Sequence, residues 1–244
     1  MLLVVNSTTP FFAEKPTMAT LNRSVLVFSL ALVTVAHVRA DDKPAPVPEG
    51  AIVLFDGKSL DNWSNLKGKA AGWKVDNGYM ECVPKSGNIV TKGEFGPDYQ
   101  LHVEFWLPLM KDAKGQGRAN SGVYLCGRYE IQVLDSYMNE TYPDGACGAL
   151  YKIIAPSKNA SKPPEQWQTY DITLHAPRVG KDGKVTKKGR VTVVHNGETV
   201  IDNGEFDRNT QGGVDNKLAS IGPILLQDHG NKIRFRNIWL KPLQ

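Results

Sequence analysis

NSGVYLCGRYEIQVLD, residues 120–135, alternates between two kinds of side chain from end to end. Val123, Leu125, Tyr129, Ile131 and Val133 form one set and Asn120, Gly122, Tyr124, Cys126, Arg128, Glu130, Gln132 and Leu134 the other. A period of two belongs to a β-strand, whose successive side chains point to opposite faces. The first set is the core side of a sandwich. The second is too polar for an interior, so it belongs on an outer sheet face, either as a solvated surface with cross-strand ion pairs or as a binding surface. Glu130 is the carboxylate in the middle of this face, with Arg128 and Gln132 two residues to either side. Asp135 ends the run, and its parity points it away from Glu130 unless a bulge intervenes.

The flanking sequence repeats the pattern in shorter pieces. AIVLF, GWKVDNGYMEC, YQLHVEFWL, WQTYDITLHA, RVTVVHNGETVI and KIRFRNIWL are apolar or alternating runs, and Asn77-Gly78, Asn196-Gly197 and His229-Gly230-Asn231 supply turn signals between runs. Asn-Gly between alternating runs predicts a tight β-hairpin. The chain's 23 Gly, 15 Pro, 5 Trp, 8 Tyr and 8 Phe favour turns and aromatic-bearing strands over long helices. About a dozen strands predict an all-β fold, a two-sheet antiparallel jelly-roll sandwich larger than an immunoglobulin-like domain.

The first 40 residues read as a leader. Arg23 precedes the apolar run VLVFSLALVTVA, and Val38-Arg39-Ala40 places small residues where a signal peptidase cuts, so cleavage is expected after Ala40 and export after it. Met18 would give a leader of the ordinary order, basic then apolar then cleavage site. The apolar run is shorter than the roughly 20 residues needed to span a bilayer, so no stable membrane insertion is expected after cleavage. Residues 41–48 form a Pro-rich linker, and the folded domain is expected over 49–244.

The formal charge of +4 arises from 29 basic and 25 acidic residues. They read as spread along the chain, which makes nucleic acid a poor partner. Cys82, Cys126 and Cys147 are an odd set without CxxC spacing, so at most one disulfide can form. No motif calls for a cofactor. Asp56 and Asp228 are loop carboxylates of a kind that can ligate calcium, but they belong to no ligand series, and no metal site is assigned.

Five blocks, LFDGKSLDNW, NSGVYLCGRYEIQVLDSY, GALYKIIAPSKNASKPPEQWQTYDI, VTVVHNGETV and GPILLQDHGNKIRFRNIWLKPL, occur in order across residues 51–243. Together they resemble the 3-keto-disaccharide hydrolase family. That resemblance implies a concanavalin A-like jelly roll, export, and action on sugars or glycosides. A ketone at C3 acidifies the C2 hydrogen, so the aglycone on C1 can leave by elimination and water can then add to the enone. Such a site needs a base for C2–H, donors for the enolate oxygen and an acid for the leaving oxygen. On that basis Glu130 is the expected base, His229 in LQDHG an acid or base near neutral pH, and Asp135 a further catalytic candidate. Arg128 is the expected enolate or hydroxyl donor. Asn120, Gln132 and Gln227 are expected to bind sugar hydroxyls, Tyr151 and Trp167 to stack on a sugar face, and Arg236, pointing away from the core on the last strand, to bind substrate as well.

Two other readings stay open. EIQVLD loosely resembles the E-x-D-x-x-E strand of laminarinase-like retaining glucanases, in which two carboxylates about 5 Å apart act as nucleophile and acid/base. Gln132 and Asp135 replace the second and third acids of that pattern. A non-catalytic, lectin-like carbohydrate-binding module would use the same face for recognition alone.

Overall fold

The computed structural model describes residues 43–243. The proposed leader, its cleavage point and the alternative start at Met18 lie outside them. Among the described residues no helix is long and apolar enough to cross a membrane, and the only helical segments are two short 3₁₀ turns.

Fifteen strands run through the described residues. In order they are β1 (Ile52–Phe55), β2 (Trp63–Asn65), β3 (Lys74–Asp76), β4 (Tyr79–Glu81) and β5 (Ile89–Thr91). Next come β6 (Asp98–Trp106), β7 (Asn120–Leu125), β8 (Tyr129–Leu134), β9 (Trp167–His175) and β10 (Arg178–Val179). The last five are β11 (Val185–Lys187), β12 (Gly189–His195), β13 (Glu198–Phe206), β14 (Leu225–Leu226) and β15 (Arg234–Pro242). An eight-stranded sheet has the order β13-β12-β9-β6-β15-β4-β3, with β1 added on β15, and a five-stranded sheet has the order β2-β5-β14-β7-β8. Every ladder is antiparallel. The two-sheet antiparallel jelly roll expected from the alternating runs is the fold.

The Asn-Gly signals are where the hairpins turn. Asn77-Gly78 joins β3 to β4 and Asn196-Gly197 joins β12 to β13, all four residues at positive φ as a type I′ turn demands. Between the sheets pack Leu101, Val103 and Phe105 of β6, Ile172 and Leu174 of β9, Val191 and Val193 of β12, and Val123, Leu125, Ile131 and Val133 of β7 and β8. Each such fully buried aliphatic or aromatic side chain contributes about 1.5–3 kcal/mol through apolar burial.

Both sheets therefore have a core face and an outer face. The outer face of the eight-stranded sheet carries His102, Glu104, Asp171 and Arg236, and the chain ahead of β1 is pinned to it. Ala45 donates its N–H to Glu104 Oε1 at 2.7 Å, and its carbonyl accepts from Asn237 Nδ2 at 2.8 Å. The stretch read as a free linker thus makes its first sheet contact before residue 49. All three cysteines are free and buried. Burial pushes the Cys126 thiol up to about 12 and that of Cys147 to about 11, so both stay protonated at neutral pH.

Candidate functional site

The run 120–135 is a hairpin, not one strand. Leu125 pairs with Tyr129, and Cys126 and Gly127 turn the chain at φ 48° and 65°. Cysteine has no special preference for that conformation, which is why the turn carries no Asn-Gly flag. Three residues lie between the paired ends, so partners keep the same parity: Tyr124 faces Glu130, Gly122 faces Gln132 and Asn120 faces Leu134. The expected polar face survives the turn as the outer face of the five-stranded sheet. Cys126 leaves it and joins the core.

Loops close over this face to make a cleft of about 300 Å³, lined by Gln116, Asn120, Tyr124, Glu130, Gln132, Tyr151, Gln211, Gly212, Gln227 and His229. Residues 209–215 are strapped to the turn by Thr210 N–H to the Arg128 carbonyl and Val214 N–H to the Gly127 carbonyl, at 3.0 and 2.8 Å. The segment carrying Tyr151 is held along β8 by Gln132 N–H to the Ala149 carbonyl and Tyr151 N–H to the Glu130 carbonyl, both 3.0 Å. Gln227 follows β14 and bonds through its own N–H to the Gly122 carbonyl at 3.0 Å.

Glu130 is the only carboxylate in the cleft lining and is almost wholly buried. Among the described residues its single side-chain hydrogen bond comes from the Tyr124 hydroxyl, 2.9 Å from Oε2. Burial pushes the carboxyl up to about 8, and the Tyr124 bond opposes that rise. The same hydroxyl lies 2.9 Å from the Gln211 carbonyl and accepts from Gln227 Nε2 at 3.0 Å. It has one hydrogen for two acceptors, so it can serve Glu130 or the carbonyl, not both at once. Gly122 makes room for the carboxyl: a Cβ there would lie 2.3 Å from Glu130 Oε1 and 2.9 Å from Tyr124 Cε2. Gln132 Oε1 and Gln227 Oε1 are buried acceptors without a partner among the described residues, and both side chains line the cleft.

Of the residues singled out in the sequence, the structure brings Asn120, Glu130, Gln132, Tyr151, Gln227 and His229 together here. Four others lie elsewhere. Arg128 sits in the turn, where Nε and Nη2 bond both Asp215 oxygens at 2.7 Å and Nη1 bonds the Cys126 carbonyl at 2.9 Å. Its donors are engaged away from the cleft, so it is not placed to hold an enolate. Asp135 keeps the parity that turns it from Glu130, and is buried against Arg118 at 3.4 Å. Arg236 and Trp167 point outward as parity requires, but on the other sheet. There Arg236 lies 4.0 Å above the Trp167 ring and bonds Glu104 Oε2 at 2.6 Å, so Trp167 is stacked on by an arginine instead of a sugar.

Gln116, Tyr124 and Gln211 are cleft residues to which the sequence reading gave no role. Tyr124 alternates onto the right face but looks like any strand tyrosine. Gln116 and Gln211 are in loops, where no periodicity marks them. Asp56 and Asp228 accept backbone N–H bonds in their own turns, from Lys58 and Gly230. Among the described residues no three His, Cys, Asp or Glu side chains gather as a metal-binding group.

Comparison with known proteins shows the family. The profile of the 3-keto-alpha-glucoside-1,2-lyase-like domain matches residues 50–241. A 3-keto-disaccharide hydrolase of Bacteroides thetaiotaomicron is 24% identical over 248 residues, spanning 80% of this chain and 79% of its own. A crystal structure from Parabacteroides distasonis, provisionally described as a glycosyl hydrolase, is 42% identical with a TM-score of 0.75, over 80% of this chain and 85% of that one. Another from the same organism, at 21% identity and a TM-score of 0.61, shares the fold over 83% of this chain and all of its own. With the profile covering most of its length, the chain belongs to the 3-keto-alpha-glucoside-1,2-lyase-like domain family.

Proposed function

We propose that this protein is an exported hydrolase that cleaves 3-keto-glycosides by elimination and hydration in the Glu130 cleft. The observation that carries the reading is the solitary carboxylate. Glycosidases that work by displacement, retaining or inverting, ordinarily use two carboxyl groups flanking the bond. The cleft lining offers one, and the nearby acid of the strand, Asp135, is tied to Arg118 outside it. One buried carboxylate suffices for removing a proton made acidic by a neighbouring ketone.

Glu130 takes the C2 hydrogen as a proton, and the C–H electron pair moves into a C2–C3 double bond as the C3 carbonyl becomes an enolate. Collapse of the enolate forms the C1–C2 double bond and expels the C1 oxygen substituent, which takes a proton from His229. Water then adds at C1 of the enone, its lost proton restoring His229, while Glu130 returns its proton to C2, so the sum is hydrolysis. The lining contains no Lys or Arg. The enolate oxygen therefore meets neutral donors such as the Tyr151 hydroxyl, which shares a 2.8 Å hydrogen bond with the Tyr142 hydroxyl, together with His229, while the Asn120 amide is turned to Gln116. The family profile and the name of the Bacteroides relative support the substrate class.

Incubating purified protein with matched ordinary and 3-keto disaccharides tests the proposal. Monosaccharide should appear only from the 3-keto substrate. Equal cleavage of both would favour displacement, and tight binding without cleavage of either would favour a lectin-like module.

A further inference from the structure

The charges are less evenly spread than the sequence suggested. Residues 178–190 hold Arg178, Lys181, Lys184, Lys187, Lys188 and Arg190 against a single acid, Asp182. The formal charge of the whole chain is +4, so outside this net +5 segment the remainder is net −1 (+4 less +5). The segment folds as the β10–β11 hairpin and the start of β12. Here a groove of about 430 Å³ opens, lined by His175, Arg178, Lys187, Lys188, Arg190 and Glu205, with Ala176 and Asn203. None of these residues lines the Glu130 cleft.

Both arginines are held in place while keeping donors free. Arg178 bonds Asp98 Oδ2 through Nη2 at 2.7 Å and the Ala176 carbonyl through Nη1 at 2.5 Å, and Arg190 bonds Glu205 Oε1 through Nη2 at 2.6 Å. Arg190 is fixed further by the ladder, opposite His175 on β9 and Glu205 on β13. A guanidinium has five N–H donors, so the single carboxylate contact of Arg190 leaves a planar edge for a second anion, and Arg178 keeps N–H donors beyond its two contacts. Lys188 lies 4.0 and 3.8 Å from Glu205 and Asp207, and Lys187 makes no ion pair among the described residues. Counting lining residues alone, four cations face one carboxylate.

We infer that this groove is a second carbohydrate site, one that holds an anionic polysaccharide chain through its carboxylate or sulfate groups. The basic lining requires an anionic ligand, and the concave shape suits a chain better than a flat bilayer. No Phe, Tyr or Trp side chain lines it, so it lacks the broad stacking platform that single-stranded nucleic acids use. Asn203 and His175 can meet hydroxyls between the charged groups. The site would keep the protein on an acidic glycan matrix while the separate cleft works.

The test uses the intact purified protein with heparin and polygalacturonate as anionic probes, dextran as the neutral one, and an oligo-dT strand and phosphatidylglycerol vesicles as other polyanions. Heparin and polygalacturonate should bind at about 50 mM salt and weaken as salt rises, as screened charge contacts do. Dextran should not bind. The exposed double variant K187E/K188E should lose about tenfold or more in affinity for both glycans, as expected for two exposed charge contacts reversed, with an unchanged melting temperature. Absence of glycan binding, equal binding by the double variant, binding of dextran as tight as that of heparin, or tighter binding of oligo-dT or the vesicles than of either glycan would each overturn the inference. None of these readouts depends on turnover, so the outcome is separate from that of the proposed reaction.

Discussion

Glu130 and Glu104 are the same residue type, both on strands, both facing outward from their sheets, and 3% and 1% exposed. Their chemistry is opposite. Glu104 accepts from Ala45 N–H, Asn237 Nδ2 and Arg236 Nε at 2.6–2.8 Å, with His102 Nε2 at 3.6 Å. Burial alone would raise its pKa, but these partners bring it down to about 2. Among the described residues Glu130 has one neutral donor and no cation, and burial carries it to about 8. Burial thus does not decide what a carboxylate is for; the donors around it do. A carboxylate ringed by donors is fastened structure, and one left nearly alone is a base in waiting.

The largest contrast should appear in activity. Glu130→Gln keeps shape and removes the base, and kcat on a 3-keto disaccharide should fall by about 10²–10⁴-fold with the fold intact. Glu104→Gln should leave kcat within a few-fold of wild type. Comparable losses from both would erase the distinction.

Stability should divide the pair the other way. Glu104→Ala strands the Arg236 and His102 charges and should cost about 3–5 kcal/mol in urea unfolding, as breaking a buried pair does. The pH windows also differ in sign. Glu104, with its lowered pKa, stabilises the fold above its ordinary value of 4.5, and that contribution is lost as pH falls through about 2. His102, raised from 6.5 to about 9 by Asp171 and Glu104 against desolvation, contributes fully below 6.5 and loses that contribution as pH rises through about 9. Glu130 works against the fold. Its folded pKa lies above 4.5, so stability declines from there up to about 8, and Glu130→Gln should melt progressively higher than wild type across that interval. A flat difference would mean that Glu130 is not desolvated.

Gly122→Ala should be next. The added methyl cannot coexist with Glu130 Oε1 at 2.3 Å, so the carboxyl must move. Overpacking of this kind costs roughly 1–3 kcal/mol, and turnover should drop by about tenfold or more. Wild-type turnover would show that the carboxyl's position does not matter.

The smallest effect belongs to Tyr124→Phe. Wild-type activity should rise with pH as the carboxylate form of Glu130 accumulates through about 8. Removing the only hydrogen bond that favours the charged form should move the midpoint of that profile to higher pH and cut the rate at neutral pH by about tenfold. An unshifted profile would detach Tyr124 from the base.

The fold was legible because strand alternation and Asn-Gly turns are local signals. The shared face of Asn120, Glu130 and Gln132 was legible for a less obvious reason: the missed turn at Cys126-Gly127 spans three residues and so preserves parity. Arg128 was misplaced because it belongs to that turn, where alternation says nothing. Arg236 was given the correct face but belongs to the other sheet, since parity separates inside from outside and cannot say which sheet a strand joins, and Trp167 was picked by residue type, which says nothing of either. Gln116 and Gln211 arrive from loops through contacts distant in sequence, and no pattern of spacing announces them.

The central claim is that Glu130 removes the hydrogen from C2. Turnover of a 3-keto disaccharide in deuterated water, read by mass spectrometry or NMR at early times against an enzyme-free control, tests it most directly. One deuterium at C2 of the released 3-keto sugar, appearing with turnover and absent with the Glu130→Gln protein, is the predicted result. Release of product by wild type with C2 still carrying its original hydrogen would contradict the elimination route.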